Sequence, residues 1–570
     1  MSYLTEYRRF LTHPSVSEED RAALARMEGD EEAIRAAFSG SLSFGTAGLR
    51  GIMAPGTAMM NRNTVMQAGA GLAAYILSRG GGERGCVIAH DSRNRSSLFA
   101  RSTAAVMTAM GVKCYLFDGM RPTPLLSFSI RDLGCIAGIN ITASHNPKEY
   151  NGFKAYWEDG AQLSPEQAEA VSDCIAAIDV LDGVPSVDPD AMIESGAILP
   201  VPAETEERYL RAVLAQSVDP SLLRTHADMR IVYTPLHGAG RDFVPRVLSM
   251  AGLRTVLTVP EQNEPDGDFP SVRYPNPEFP EVFAPGIAIA EENGCDLIIA
   301  TDPDADRVGV MARDERGVFR ALSGNQTGAL LLSYIITSLK ERNALPEDAY
   351  AVKSIVTTEL ASRICRAEGV EMVNVLTGFK FIGEVIKNRE AEGCYGFLLG
   401  FEESYGYLKG TYARDKDAVV ASLLIAEMAA YYSERGMTLP MALDALYKRY
   451  GYAAEQVVSI TVQGADGKER MKALTASLRQ NPPTHLGGER VVRAADYLTG
   501  RITAEDGSVL PTSLPTSDVL YFVTESGSCF IVRPSGTEPK IKLYLMAFGA
   551  SEEEAKARCE ALSKEAKGLC

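Results

Sequence analysis

Short apolar runs alternate along this chain with stretches of helical periodicity, and that alternation restricts the possible folds more than any other feature. The runs Cys86 to Ala89, Cys114 to Phe117, Cys135 to Ile141, Arg230 to Tyr233, Thr255 to Val259, Asp296 to Ala300, Ala351 to Val356 and Phe397 to Leu399 have the length and character of buried strands. Helical stretches between such strands imply α/β units around largely parallel sheets, because a parallel strand needs a crossover and a helix supplies it. The clearest helix, Asp417 to Arg435, opens on an N-cap residue and stops at Gly436. Past Arg449 the texture changes to alternating strands, Gln456 to Val462 and Val519 to Val523 among them, and then to a helix with a Ser551/Glu554 capping box. That tail reads as α+β. At 570 residues the chain exceeds one hydrophobic core, and a stretch with Pro185, Pro189, Pro200 and Pro202 separates the first unit from the second. The expected division is 1–205, 206–320, 321–450 and 451–570, α/β units with largely parallel sheets followed by an α+β domain. No sequence repeat is evident.

Several strand runs end in loops dense in reactive residues. Leu297-Ile298-Ile299-Ala300-Thr301 leads into Asp302-Pro303-Asp304-Ala305-Asp306-Arg307. Side chains two apart in an extended segment point the same way, so Asp302, Asp304 and Asp306 are expected to converge on one hard cation. An EF-hand loop would need Gly and Glu where Arg307 and Arg313 stand, which removes that alternative and leaves an acidic surface turn as the other reading. The run ending at Ile141 leads into Thr142-Ala143-Ser144-His145-Asn146-Pro147. Serine is a poor nucleophile unless a base, a metal or a prior covalent group activates it. No G-x-S-x-G elbow surrounds Ser144, and in an extended chain His145 would point away from it, so a hydrolase triad is poorly supported. Lys154, in Asn151-Gly152-Phe153-Lys154, could return to the serine. Glu402 and Ser404, in Gly400-Phe401-Glu402-Glu403-Ser404-Tyr405-Gly406, suit vicinal sugar hydroxyls. Arg533-Pro534-Ser535-Gly536-Thr537-Glu538-Pro539-Lys540 combines a guanidinium, hydroxyls and exposed amides suited to a phosphate dianion.

Taken together and in this order, these four loops resemble the signature loops of the α-D-phosphohexomutases. The resemblance covers nearly the whole chain and implies an α/β fold of three similar α/β sandwich domains with mixed, mostly parallel sheets plus a smaller α+β C-terminal domain around a central cleft. It extends to Phe44-Gly45-Thr46-Ala47-Gly48-Leu49-Arg50-Gly51, to His90-Asp91-Ser92-Arg93 and to Thr377-Gly378-Phe379-Lys380, a specificity loop. One departure is that Ser404 is followed by Tyr405-Gly406, where many relatives carry Gly-His. With Arg414-Asp415-Lys416-Asp417 downstream, that form is most similar to a longer subgroup that includes bacterial phosphoglucomutases and eukaryotic phosphopentomutase relatives. The resemblance implies a phosphorylated Ser144, Mg2+ held by Asp302, Asp304, Asp306 and the serine, and glucose 1,6-bisphosphate as intermediate and activator. It also implies catalytic roles for His145 and for Lys154, Arg50 and Arg93, the last three as candidates for proton handling and charge stabilisation with Lys154 foremost. Substrate contacts are expected from Arg307, Thr377, Gly378, Lys380, Glu402, Ser404, Arg414, Arg533, Ser535, Gly536, Thr537 and Lys540. The expected reaction interconverts glucose 1-phosphate and glucose 6-phosphate. Mannose or pentose phosphates, a serine- and Mg-dependent sugar phosphatase, or a silent sugar-phosphate sensor are the alternatives.

Charge and cysteine content agree with this expectation. The formal net charge of −17 argues against nucleic acid and anionic membranes as partners. It also requires that cations be concentrated in the cleft if sugar phosphates are to bind. Ten cysteines without a C-x-x-C pair read as reduced thiols. The N-terminal segment lacks the apolar core of a signal peptide, and no apolar run reaches membrane-spanning length, Glu427 interrupting the one from Ala418 to Ala430. A cytoplasmic monomer or homodimer acting on small-molecule sugar phosphates is the expectation.

Overall fold

The computed structural model describes residues 2–45, 48–461, 467–534 and 540–569. Three helices (Tyr3–Thr12, Glu18–Arg26, Glu31–Phe38) precede the first sheet. Its strands are β1 (Leu49–Ile52), β2 (Cys86–His90), β3 (Cys114–Leu116), β4 (Ala137–Ile141), β5 (Tyr150–Trp157) and β6 (Ile198–Pro200), in the order β1-β5-β4-β2-β3-β6. The second sheet contains β7 (Arg230–Thr234), β8 (Thr255–Thr258), β9 (Leu297–Thr301), β10 (Val308–Arg313) and β11 (Phe319–Leu322), ordered β11-β10-β9-β7-β8. The third contains β12 (Tyr350–Ser354), β13 (Glu371–Val375), β14 (Phe397–Glu402) and β15 (Gly406–Leu408), ordered β13-β12-β14-β15.

The three sheets share one plan. A central strand (β2, β7, β12) pairs in parallel with its successor (β3, β8, β13) on one side and with a third strand (β4, β9, β14) on the other. The chain then turns back, and the next strand (β5, β10, β15) pairs antiparallel with the third. The sheets are therefore parallel at the centre and antiparallel towards one edge, as expected for mixed, mostly parallel sandwiches. Adjacent residues of the central strands serve opposite faces. Ile88 packs with the helices Arg62–Ser78 and Ser96–Ala109, whereas Val87 and Ala89 join a second core that also takes Ile231 and Tyr233 from β7, Ala351 from β12 and Leu399 from β14. Burial on both faces is why these strands read as continuous apolar runs.

That second core surrounds the helix Ala418–Ser433, whose apolar residues run round all its faces and are buried, as such a helix must be. Asp417 caps it, accepting from Val419 N at 2.7 Å and Val420 N at 3.0 Å. Glu427 is fully buried. Its carboxylate accepts from Tyr334 Oη at 2.5 Å, Val218 N at 2.7 Å, Asp219 N at 2.9 Å and the Ser217 hydroxyl, so the one charge in the helix is completely bonded. Among the described residues no helix is long and apolar enough to cross a membrane.

The C-terminal sheet is antiparallel throughout. Its strands are β16 (Tyr452–Thr461), β17 (His485–Leu486), β18 (Glu489–Asp496), β19 (Arg501–Ala504), β20 (Val509–Pro511), β21 (Leu520–Thr524), β22 (Cys529–Pro534) and β23 (Lys540–Gly549). One face packs on helices Gly467–Gln480 and Glu552–Leu569; the other meets Ile355, Val356 and Leu376 of the third domain. Two expectations change in detail. The proline-rich stretch contributes a strand to the first sheet, since β6 ends on Pro200 and pairs in parallel with β3 at the edge, where a missing donor is tolerated. The last helix has half of the capping box: Glu554 N donates to Ser551 Oγ at 3.2 Å, but the Glu554 carboxylate takes Ala550 N at 2.7 Å.

Candidate active site

Three of the reactive loops occupy the same place in the repeated plan, the turn at the carboxyl end of the third strand. They are β4 to β5 with Ser144, β9 to β10 with the three aspartates, and β14 to β15 with Glu402, Glu403 and Ser404. Ligands of open α/β sheets gather at this end of the strands. Each turn contains one non-glycine residue in the left-handed region: Ser144 (φ 51°), Ala305 (φ 51°) and Tyr405 (φ 67°). Such a residue costs roughly 1–2 kcal/mol, which local hydrogen bonds offset. Ser144 N donates to Thr142 Oγ1 at 2.8 Å, and the amides of Asp306 and Arg307 donate to Asp302 Oδ1 at 3.1 and 3.0 Å. The loops are also tied across domains. Val308 N donates to Tyr405 O at 3.0 Å, Thr123 N to Asp304 O at 2.8 Å and Ala418 N to Ala305 O at 3.1 Å.

The three aspartates converge as expected, with one carboxylate oxygen from each within 4.8 Å of the others. The reason differs from alternation along an extended strand: the segment is a tight turn folded around Asp302 Oδ1. Ser144 Oγ donates to Asp302 Oδ2 at 2.7 Å. Lys154 Nζ lies 2.7 Å from Asp304 Oδ2 and 3.3 Å from Asp306 Oδ2, Thr123 Oγ1 donates to Asp304 Oδ2 at 2.9 Å, and Lys416 Nζ lies 3.3 Å from Asp306 Oδ2. Asp304 Oδ1 and Asp306 Oδ1, by contrast, are buried without any hydrogen-bond partner. Two orphaned carboxylate oxygens beside a third carboxylate fit a small hard cation. Electrostatics agrees. Burial, then Asp304 and Asp306, raise the Asp302 carboxyl well above its ordinary range. For Asp306 burial is outweighed by Lys416, Lys154 and Arg307, which hold it ionised. Lys154 is likewise kept charged, Asp304 and Asp306 outweighing its burial.

The left-handed turn at Ser144 corrects the expectation that His145 points away. His145 Nδ1 lies 3.2 Å from Ser144 Oγ. The serine oxygen thus has two neighbours, the Asp302 carboxylate and an imidazole nitrogen placed to pass a proton to or from it. Burial, then Arg307 and Arg50, push the His145 pKa well below its usual value, so the ring is neutral.

Arg93 is used differently from the expected charge stabiliser. Its guanidinium donates to Pro147 O at 2.8 Å, Tyr150 O at 3.0 Å, Ser144 O at 2.6 Å and the Asn146 carbonyl. Asp91 faces the guanidinium at 3.3 Å and also accepts from Thr142 Oγ1 at 2.6 Å. The pair shapes the serine loop from beneath. Arg50 is exposed above it and donates to Asn146 Oδ1 at 3.1 Å; Thr46 and Ala47 of its loop lie outside the described residues.

Opposite the serine is a cavity of about 460 Å³ to which all four domains contribute, through His145, Arg307 with Glu278, Thr377 with Ser404, and Arg533 with Lys542. Glu402 Oε1 accepts from Gly378 N at 2.7 Å, joining the sugar loop to the specificity loop. Lys380 Nζ is buried without a hydrogen-bond partner, and burial lowers its pKa. Glu403 accepts from Ser354 Oγ at 3.3 Å and Thr357 Oγ1 at 3.2 Å, and burial together with Glu402 raises its carboxyl to about 7. Two expected contacts are not brought here. The Arg414 side chain pairs with Glu390 and donates to the Thr411 carbonyl within the third domain, while its backbone N donates to Ser127 Oγ of the first domain at 2.9 Å. Lys542, rather than Lys540 two residues earlier, lines the cavity. Ser535, Gly536 and Thr537 lie outside the described residues.

Sequence reading missed Lys416, Thr123, Glu278, Glu403 and Lys542. Lys416 had a visible signal, a lone cation between Asp415 and Asp417 ahead of an apolar helix. Thr123 had none, since its position depends on how the first two domains meet.

Four segments match models of known domains: phosphoglucomutase/phosphomannomutase alpha/beta/alpha domain I over 41–181, domain II over 207–317 and domain III over 323–450, and the C-terminal domain over 484–565. A phosphoglucomutase of Staphylococcus saprophyticus is 37% identical over 518 residues, covering 90% of this chain and 92% of that protein. A phosphoglucomutase of Staphylococcus aureus strain USA300 is 37% identical over 514 residues, 90% of each. The open form of the Paramecium phosphoglucomutase pp63/parafusin shares the fold, with a TM-score of 0.69 at 18% identity over 92% of this chain and 94% of that one.

Proposed function

Since the chain belongs to the phosphoglucomutase/phosphomannomutase family, we propose that it is a phosphoglucomutase, an isomerase that interconverts glucose 1-phosphate and glucose 6-phosphate. The route runs through a phosphoserine at Ser144 and glucose 1,6-bisphosphate. The observation that carries this reading is Ser144 Oγ, 2.7 Å from Asp302 Oδ2, in a turn that faces a cavity built by all four domains. A stored phosphoryl group resolves the activation of an ordinary serine, which acts as a donor first and regains the group later.

In the first half-reaction the bond between Ser144 Oγ and phosphorus breaks as a bond forms from phosphorus to a sugar hydroxyl oxygen. The hydroxyl proton passes by way of neutral His145, 3.2 Å from Ser144 Oγ, to the departing serine oxygen. In the second half-reaction the bisphosphate, turned end for end, returns its other phosphoryl group to Ser144, and the serine proton passes back by way of His145 to the sugar oxygen that leaves. Lys154 and Lys416, both held charged, stabilise negative charge beside the transfer and keep Asp304 and Asp306 in place. Asp302, Asp304 and Asp306, with the serine oxygen, would hold Mg2+, whose chemistry is charge neutralisation on the phosphoryl oxygens. Arg93 and Asp91 position the serine loop. Glu402, Ser404, Thr377 and Gly378 contact the sugar, and Arg307, Arg533 and Lys542 hold the phosphate that is not reacting. Domains 1–205, 206–320, 321–450 and 451–570 thus supply the phosphoserine, metal, sugar and phosphate loops.

The test is a coupled assay on glucose, mannose, glucosamine and pentose 1-phosphates with a trace of the bisphosphate, beside intact-mass measurement. Glucose 1-phosphate is expected to turn over fastest, and a phosphorylated fraction should be present and vanish in Ser144→Ala. Phosphate retained in that variant would refute the donor assignment. Steady release of inorganic phosphate in place of isomerisation would make the protein a phosphatase.

A further inference from the structure

A second cavity, of about 720 Å³, lies away from the reacting residues, between the third and C-terminal domains. Its walls come from helix Glu359–Glu368 and β13 on one side and from β18, β19 and the segment 512–514 on the other. An adjoining pocket of about 180 Å³ shares Glu359, Ser362, Arg366, Arg493 and Tyr521 and adds Arg363.

The charges on these walls do not cancel. Both lining carboxylates are already matched elsewhere: Glu359 lies 2.8 Å from Lys353 Nζ, and Glu371 lies 2.6 Å from Arg389. Neither Arg366 nor Arg493 has a carboxylate within 4.0 Å among the described residues, in a protein with 74 acidic side chains against 57 Lys and Arg. The cavity therefore presents two uncompensated guanidinium groups, with Arg363 next to them. The Ser362 hydroxyl, whose oxygen is buried, makes no hydrogen bond of ordinary geometry. Tyr497 and Tyr521 give the floor an aromatic character. Arginine forks facing a cavity with hydroxyl and aromatic walls match a phosphate group carried on a flat or ring-shaped body, and the volume lies within the range of small-molecule sites.

We propose that this interdomain cavity binds a small organic phosphate of nucleotide size, with Arg366 and Arg493 holding its phosphates. The occupant bridges the two domains that also face each other across the reaction cleft. Ile355 lines this cavity and its neighbour Val356 lines the cleft, both within one apolar cluster.

The probe is ADP, titrated calorimetrically into the full-length protein with and without saturating glucose 6-phosphate. Binding does not depend on turnover, so the result stays readable if the mutase assignment fails. One saturable ADP site is expected, indifferent to glucose 6-phosphate. It should weaken roughly 10-fold or more in Arg366→Ala/Arg493→Ala, while Arg533→Ala leaves it unchanged. Both substituted arginines are exposed, and an unchanged melting curve checks that the double variant is folded. The proposal is overturned if neither ADP nor pyrophosphate binds saturably at millimolar concentration. It is equally overturned if the double variant binds as the wild type does, or if Arg533→Ala or glucose 6-phosphate abolishes binding, which would place the ligand in the cleft.

Discussion

Asp304 serves two neighbours at once. One oxygen is shared by Lys154 and Thr123, and the other is buried without a partner and free for a cation. Asp304→Asn removes a ligand charge and leaves Lys154 with Asp306 alone, so turnover should fall by orders of magnitude and activity should need far more Mg2+. A metal titration of both forms reads this, and full wild-type activity in excess EDTA would sink the metal role. Glu402 and Arg533 should separate recognition of the ring from recognition of phosphate. Arg533→Ala should lose ~10- to 150-fold in kcat/KM without changing the preference among epimeric sugars, because a phosphate clamp cannot sense ring stereochemistry. Glu402→Gln should change that preference. A panel of hexose 1-phosphates decides it, and the assignment fails if the two effects are exchanged.

The helix Ala418–Ser433 holds the three α/β domains together, and Glu427 is the point at which it is bonded to two other segments. Glu427→Leu would strand the amides of Val218 and Asp219 and the Tyr334 hydroxyl in an apolar core. Each unsatisfied buried donor costs about 1–3 kcal/mol, so destabilisation of about 3–5 kcal/mol is expected from urea denaturation, after some relaxation and water entry. Glu427 touches none of the reacting groups, so kcat per folded molecule should stay at the wild-type value. An unchanged urea midpoint would show that the carboxylate bonds contribute little.

Across the whole molecule, Glu403 links pH to stability. Burial and the adjacent Glu402 raise its carboxyl to about 7, whereas in an unfolded chain a glutamate titrates near ~4.3. The folded protein thus binds the extra proton between these values. This contribution is complete below the unfolded pKa and is lost as pH rises through about 7. Glu403→Gln cannot ionise, so relative to wild type it should gain stability at pH 8 and show little difference near pH 4. Denaturation of both proteins across that range is the measurement. Parallel curves would mean that Glu403 does not titrate in the window.

The central strands, the long helix with its Asp417 cap and the reactive loops were legible because each is a local pattern. Double-sided burial makes a continuous apolar run, and a loop's chemistry lies in its own residues. The returning strands were not legible. In β5 the polar Asn151 and Lys154 are buried among the apolar residues, and β15 has only three residues, so neither forms a recognisable run. The likeness of the three sheets followed from the family resemblance and from no local pattern, since topology constrains which strands pair and not which residues fill them. Residue types and order along the chain sufficed to name the groups that react. Only the tertiary structure decided that His145 faces Ser144, that Arg93 shapes a loop, that Arg414 joins two domains and that Lys416 guards Asp306. Those roles depend on one left-handed residue and on contacts between segments more than fifty residues apart, which no local pattern encodes.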